Sequence, residues 1–368
     1  MESTKINGVV CFFNSCKAWG GGEKWHFEMA RRLQEQGVKL ILCAYPGSPL
    51  YKKAIEANLR VFSFKVGNLS FLNLILFQEL VEFFKAEEIT HLIVNMSSDV
   101  KTAARAAKKA GVPNIIYRRG SAIPINNSPS NRYLFRHVVT HIIANSQETM
   151  RTILANNQNL FDERKIQVIY NGIDLSDLSF DTKCSKPDHQ KEIVLGNAGR
   201  LEKQKNQEFL IDLVVRLRQK GYPLILKIAG TGRLEDKLKK AIENRGLNAY
   251  VELTGFSENI SSFLESVDIF VLSSLWEGFG YVLVEAHACG KPVVAFDVSS
   301  NPEIVNNNED GILVPVNDLE GFADAVEYLI QNPEIRFIMG KNGQNKVLEK
   351  FDIEVTTHNL LNYLKSLE

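Results

Sequence analysis

Short β-branched or aromatic runs alternate with helix-patterned stretches twice along this chain, and that repeated alternation leaves few architectures open. The first series holds Val9 to Phe13, Val38 to Ala44, His91 to Asn95, Asn114 to Tyr117, His141 to Ala144 and Gln167 to Ile169. The second holds Ile193 to Asn197, Leu224 to Ala229, Val251 to Thr254, Ile269 to Leu272, Val293 to Phe296 and Gly311 to Val314. Strand–helix–strand repetition builds parallel sheets whose two faces are covered by helices. Two α/β parallel-sheet domains are therefore expected within the 368 residues. Between the series, 175–192 (LSDLSFDTKCSKPDHQKE) is polar and carries one proline, as linkers do. The expected boundaries are an N-terminal domain over 1–175, a linker over 176–192 and a C-terminal domain over 193–351.

Charge divides along the same line. Residues 1–178 carry 22 Lys/Arg against 15 Asp/Glu, residues 179–368 carry 21 against 28, and the whole chain is neutral. A basic first half suits an anionic partner such as a phosphorylated acceptor or a membrane surface, and equally suits attraction between two oppositely charged domains. Nothing in the pattern calls for nucleic acid. Five scattered cysteines without a C-x-x-C pair fit core positions and a reducing cytoplasm. Neither a secretory leader nor a run of 18 apolar residues is seen. The greasiest helix candidate, Phe71 to Phe84 (FLNLILFQELVEFF), lacks the Lys/Arg-rich face of an interfacial helix, so it is expected in the core, with peripheral membrane contact the other use.

Ligands in open parallel sheets bind beyond the carboxyl ends of the strands, and the unusual residues fall there. Gly20-Gly21-Gly22-Glu23 follows the first strand and opens a helix, as an anion-cradling loop or simply a tight turn would. Arg200 ends the first strand of the second series and Lys205 follows five residues later, two cations that suit a diphosphate or ordinary solvation. Gly230-Thr231-Gly232 repeats the strand–glycine–helix arrangement. Glu277-Gly278-Phe279-Gly280 and Glu285 place two carboxylates eight residues apart around a glycine-flanked turn. The helix Tyr281 to Cys289 is apolar on nearly every side, so Glu285 is expected in a packed interior, where a carboxylate needs a partner. A ligand hydroxyl, a cation or a structural arginine would serve. D-x-D, Walker, G-x-S-x-G and H-E-x-x-H patterns are missing, and the seven histidines show no metal-ligand spacing beyond His137 and His141, which lack a partner carboxylate.

Taken together, Glu277 through Glu285 as E-x7-E, Gly199-Arg200-Leu201 with Lys205, Asn171-Gly172-Ile173-Asp174 and Gly20-Gly21-Gly22-Glu23 resemble the retaining glycosyltransferases of family 4 over nearly the whole chain. The resemblance implies the GT-B fold, two Rossmann-like domains facing an interdomain cleft, with a C-terminal helix near 352–368 returning to the first domain. It implies no cofactor and no metal, a nucleotide-diphosphate sugar as co-substrate with UDP favoured, and a glycan, lipid-linked or small-molecule acceptor. By position it assigns Arg200 and Lys205 to the diphosphate, Glu285 to the ribose, and Glu277 to the donor sugar. Backbone at Phe279 and Gly280, together with Gly21, Gly22 and Gly230, would surround the donor. Many relatives carry a histidine where this chain reads Tyr117-Arg118-Arg119-Gly120; Arg118 and Arg119 are placed on the acceptor side, with Arg119 as a catalytic candidate. An arginine there binds an anion or a hydroxyl but is no general base at neutral pH. Alternatives are a sugar-nucleotide epimerase on a similar scaffold and a nucleotide- or glycan-binding protein without catalysis. The location implied is cytoplasmic, with the inner membrane face as a possible station.

Overall fold

The computed structural model describes residues 6–176, 192–257 and 259–368, so most of the expected linker lies outside the described residues. Contacts divide the chain into one unit of Met1–Gly172 plus Glu354–Glu368 and a second of Ile173–Ile353.

The first unit contains seven parallel strands: β1 (Val9–Asn14), β2 (Leu40–Ala44), β3 (Val61–Ser63), β4 (Ile89–Val94), β5 (Asn114–Arg119), β6 (His141–Ala144) and β7 (Ile166–Val168), in the order β3-β2-β1-β4-β5-β6-β7. The second contains six: β8 (Ile193–Ala198), β9 (Leu224–Ala229), β10 (Val251–Gly255), β11 (Ile269–Leu272), β12 (Val293–Phe296) and β13 (Gly311–Val314), ordered β10-β9-β8-β11-β12-β13. Central strands such as β2, β11 and β12 are buried along their whole length, which is why they read as continuous apolar runs. The edge strand β3 was not legible: its three residues are part-exposed and too few to show a period. From Glu354 onward the helix Ile353–Lys365 belongs to the first unit. Asn114 Nδ2 donates to Leu367 O at 3.3 Å, and Asn7 to the Glu368 carboxylate.

One expectation fails. The helix Leu74–Ala86 buries only Leu80, Val81 and Phe84, while Leu74 and Ile75 in its first turn are exposed. The Asn73 side chain accepts from Leu76 N at 3.1 Å and fixes that turn, so the apolar run packs against the core only from Leu76 onward.

Candidate active site

Strand order reverses between β1 and β4 in the first sheet and between β8 and β11 in the second. Chains leaving two such strands diverge to opposite faces, opening a crevice at their carboxyl ends. The sequence motifs line these two points.

In the second unit, β8 runs into Gly199 and Arg200, and β11 into Ser273, Ser274 and Glu277. Lys205 Nζ lies 2.5 Å from Glu277 Oε1, with both side chains largely withdrawn from water. Ser273 Oγ donates to Lys205 O and Asn206 O, both at 2.9 Å, and Gln204 Nε2 donates to Trp276 O at 2.7 Å. The two loops are therefore stitched together beside the lysine–glutamate pair. Asn206 adopts a left-handed φ of 51°, ending this loop and starting the helix Gln207–Gln219. Arg200 is exposed, and its carbonyl accepts from Gln207 Nε2 at 3.0 Å. Gly230 serves close approach: a Cβ there would sit 2.0 Å from Gly199 O, so a side chain would displace the loop that carries Arg200.

Gly280, at φ 89°, precedes the helix Tyr281–Ala288. Ser300 Oγ donates to Phe279 O at 3.0 Å, holding the turn from behind, and the Phe279 ring is buried edge-on against Phe351. Phe279 thus anchors the turn through its side chain. The expected burial of Glu285 is corrected: it is half-buried, on a face shared with Tyr281, Val282 and Cys289, whereas Leu283, Val284, Ala286, His287 and Ala288 are sealed. A helix apolar on every side gives no sequence signal of which face stays open. Beneath it, burial and the nearby Lys346 charge pull His287 down to about 3, so it is neutral. His287 Nε2 lies 3.5 Å from Asp310, which pairs with Lys346.

In the first unit, Gly21 opens the helix Gly21–Glu35, and a Cβ on Gly22 would meet Asn95 Nδ2 at 2.6 Å. Asn14 Nδ2 donates to Glu23 at 3.1 Å, and Ser15 Oγ donates to the fully buried Asp99. Burial raises the Asp99 carboxyl to about 7, against hydrogen bonds from Ser15 that lower it. Arg118 is buried at the end of β5, with Nη1 3.2 Å from Asn95 Oδ1, Nη2 2.8 Å from Asn171 Oδ1 and its guanidinium over Trp25. Burial and this charge lower His26 to about 3. Arg119 is more accessible: Nη1 donates to Tyr117 Oη at 3.0 Å and Nη2 to Ile123 O at 2.7 Å, beside a cavity of about 120 Å³ also lined by Ser97, Asn126 and Asn131. The structure thus gathers Arg200, Lys205, Gly230, Glu277 and Gly280 around one switch point, and Gly21, Gly22 and Arg118 around the other. Sequence reasoning missed Trp25 and Asn95, and named Asn171 only within a motif, with no side-chain role; side chains that hold an arginine from a helix and from separate strand ends leave no local pattern.

The sequence and the fold have counterparts among known proteins. The model described as Glycosyltransferase Family 4 matches residues 19–177, and that described as Glycosyl transferases group 1 matches 180–346. The UDP-Gal:alpha-D-GlcNAc-diphosphoundecaprenol alpha-1,3-galactosyltransferase of Escherichia coli is 29% identical over 67% of this chain and 68% of its own. The lipopolysaccharide core biosynthesis glycosyltransferase LpsE of Rhizobium meliloti is 26% identical over 94% and 96%. Among solved structures, Anabaena HepE in complex with UDP superposes with a TM-score of 0.83 at 21% identity, over 97% of this chain and 99% of that one. A glycosyltransferase from Rickettsia africae reaches 0.86 at 18%, over 98% and 99%. Two parallel-sheet α/β units of this kind define the GT-B fold. The chain belongs to the GT-B glycosyltransferases, with a Family 4 N-terminal part and a group 1 C-terminal part.

Proposed function

We propose that this chain transfers a sugar from a UDP-sugar to a lipid-linked or polysaccharide acceptor of the cell envelope, with the anomeric configuration retained and without a bound metal ion. The observation that carries the reading is the Lys205–Glu277 pair at the β8/β11 switch point, with Arg200 beside it. Two cations there match a diphosphate. The names of the relatives support the donor and acceptor classes: a UDP-galactose donor and a diphosphoundecaprenol acceptor for one, lipopolysaccharide core for another, and complexes of HepE with UDP and UDP-glucose.

In this reading the donor phosphates draw Lys205 away from Glu277, whose carboxylate then accepts from the sugar hydroxyls. The acceptor hydroxyl attacks the anomeric carbon from the face that UDP leaves. The bond from that carbon to the phosphate oxygen breaks, its electron pair stays on UDP, and the departing phosphate oxygen takes the acceptor proton. Arg200 and Lys205 stabilise the charge developing on that oxygen, the part a divalent cation plays elsewhere. Glu285, half open on its helix, takes the ribose hydroxyls. The Arg119 cavity and the basic character of the first half support an anionic acceptor group.

Acceptor-dependent release of nucleotide from UDP-, GDP- and ADP-sugars, followed with and without EDTA, tests the proposal, with the product anomer assigned by NMR. Release from UDP-sugars that survives chelation and yields a retained linkage is expected. An inverted product or activity lost to EDTA would sink the corresponding part, and interconversion of sugars without acceptor would point to an epimerase.

A further inference from the structure

Four large aliphatic side chains stand in solvent close together in sequence: Leu69, Leu72, Leu74 and Ile75 are 72%, 66%, 79% and 83% exposed. Isolated exposed leucines are ordinary, but a cluster of this kind marks an interaction surface. It sits on a short 3₁₀ turn, Ser70–Leu72, and on the first turn of the helix Leu74–Ala86. Both are held in place. Gly67 N donates to Ser70 Oγ at 2.9 Å, and Asn73 caps Leu76 N.

The flank is basic. Lys65 immediately precedes the turn and is exposed, and Ser70 Oγ reaches its carbonyl at 3.5 Å. On the neighbouring helical stretch, Lys101, Arg105 and Lys108 recur close to helical spacing, with exposed Lys109 beside them. The Arg105 guanidinium lies 5.7 Å from the centre of the Phe77 ring, tying this basic face to the aliphatic one. Carboxylates are set further back: Glu79 and Glu82 follow Ile75 one and two turns along the same face. An apolar tip flanked by cations, with the acidic groups behind it, matches an anionic bilayer, into which the aliphatic groups insert while the lysines meet lipid phosphates. A second copy of the chain fits less well, because a twofold contact would bring these like charges face to face.

We propose that the Leu69–Ile75 tip and its flanking lysines dock the N-terminal unit onto anionic lipid. The inference does not rest on the catalytic reading, because vesicle binding needs neither donor nor acceptor. The test is co-sedimentation of the full chain with vesicles of phosphatidylcholine alone or mixed with phosphatidylglycerol. Binding to the mixed vesicles is expected, weakening as salt rises from about 0.05 to about 0.5 M. Replacing Leu74→Ser together with Ile75→Ser should lower the partition coefficient by about tenfold or more, and Lys108→Glu with Lys109→Glu should abolish the salt dependence. Circular dichroism and melting temperature confirm that these surface variants fold. Three results would overturn the proposal: no sedimentation with mixed vesicles, equal binding to neutral ones, or binding indifferent to the serine substitutions. A wild-type dimer that the serine variant makes monomeric, without vesicle binding, would reassign the surface to self-association.

Discussion

Lys205 and Glu277 are 72 residues apart in sequence, yet their charged atoms meet at 2.5 Å with 14% and 8% of the two side chains exposed. The contact joins the loop after β8 to the loop after β11, across the point where the sheet reverses its strand order. It holds a cation and a carboxylate together, largely withdrawn from water. Removing one member strands the other, a cost of about 3 kcal/mol for a buried pair.

Lys205→Ala should therefore do two separable things. Turnover falls by about a hundredfold or more through lost stabilisation of the leaving group, and the melting temperature falls because Glu277 is left unpaired. Lys205→Met combined with Glu277→Gln should recover the melting temperature without recovering turnover. Calorimetry beside a nucleotide-release assay checks both, and a double variant as inactive but no more stable than Lys205→Ala would contradict the pairing argument.

Glu285 is half-buried, so Glu285→Ala should leave stability nearly unchanged. If its carboxylate holds the ribose, donor affinity weakens by roughly ten- to a hundredfold, the worth of hydrogen bonds to a charged group, with a smaller effect on turnover. Titration with UDP and with 2′-deoxy-UDP is the discriminating measurement. Wild type should prefer UDP and the variant should not; an undiminished preference would remove Glu285 from the ribose.

Gly230→Ala brings a methyl group to within 2.0 Å of Gly199 O at a φ of 141°, where L-residues are strained. A loss of about 1–3 kcal/mol is expected. Because the displaced loop carries Arg200, UDP affinity should drop with it. Gly246→Ala, also at positive φ but with open space around its Cβ, serves as the control: its stability should fall while UDP affinity holds.

Acid should weaken the fold through its buried histidines. His26 and His287 are pulled down to about 3 from an ordinary 6.5. Between those values the unfolded chain takes up protons that the folded chain refuses. The stabilisation from each neutral histidine is complete above pH 6.5 and is lost as pH falls below it, at about 1.4 kcal/mol per pH unit. Asp99 acts in the opposite sense, since its raised value favours the folded state as pH drops below about 7. His287→Gln should consequently show a shallower fall in melting temperature between pH 7 and pH 4 than wild type. Parallel curves would mean that His287 titrates normally.

Much of this molecule was legible in its sequence, for reasons that also explain the omissions. Parallel strands buried on both faces, such as β11 and β12, show as apolar runs, and the half-exposed edge strand β10 still shows through its alternating Val251 and Leu253, while the part-exposed three-residue β3 was not found. Glycines at strand ends announced the loops that position Arg200, Glu277 and Gly280, because tight turns and close backbone approach restrict residue choice. Glu285 was placed too deep and Leu74 too far inside, since periodicity measures how apolar a segment is and not which neighbours reach it. The Lys205–Glu277 bond and the Asn95–Arg118–Asn171 bridge join distant parts of the chain. Only the folded arrangement reveals such partners.

The helix Ile353–Lys365 closes a unit whose other members are all made before residue 173. During synthesis the first seven strands emerge early, yet the residues that cover Asn114 and bond Asn7 appear only after the whole second unit has been translated. That flank of the first-made sheet stays uncovered until then, so a chain whose N-terminal unit would ordinarily be complete first has to wait for its last helix. Ribosome stalling shortly before and shortly after residues 354–368 emerge should therefore distinguish a protease-sensitive N-terminal intermediate from a protected one. The order of folding would then run against the order of translation.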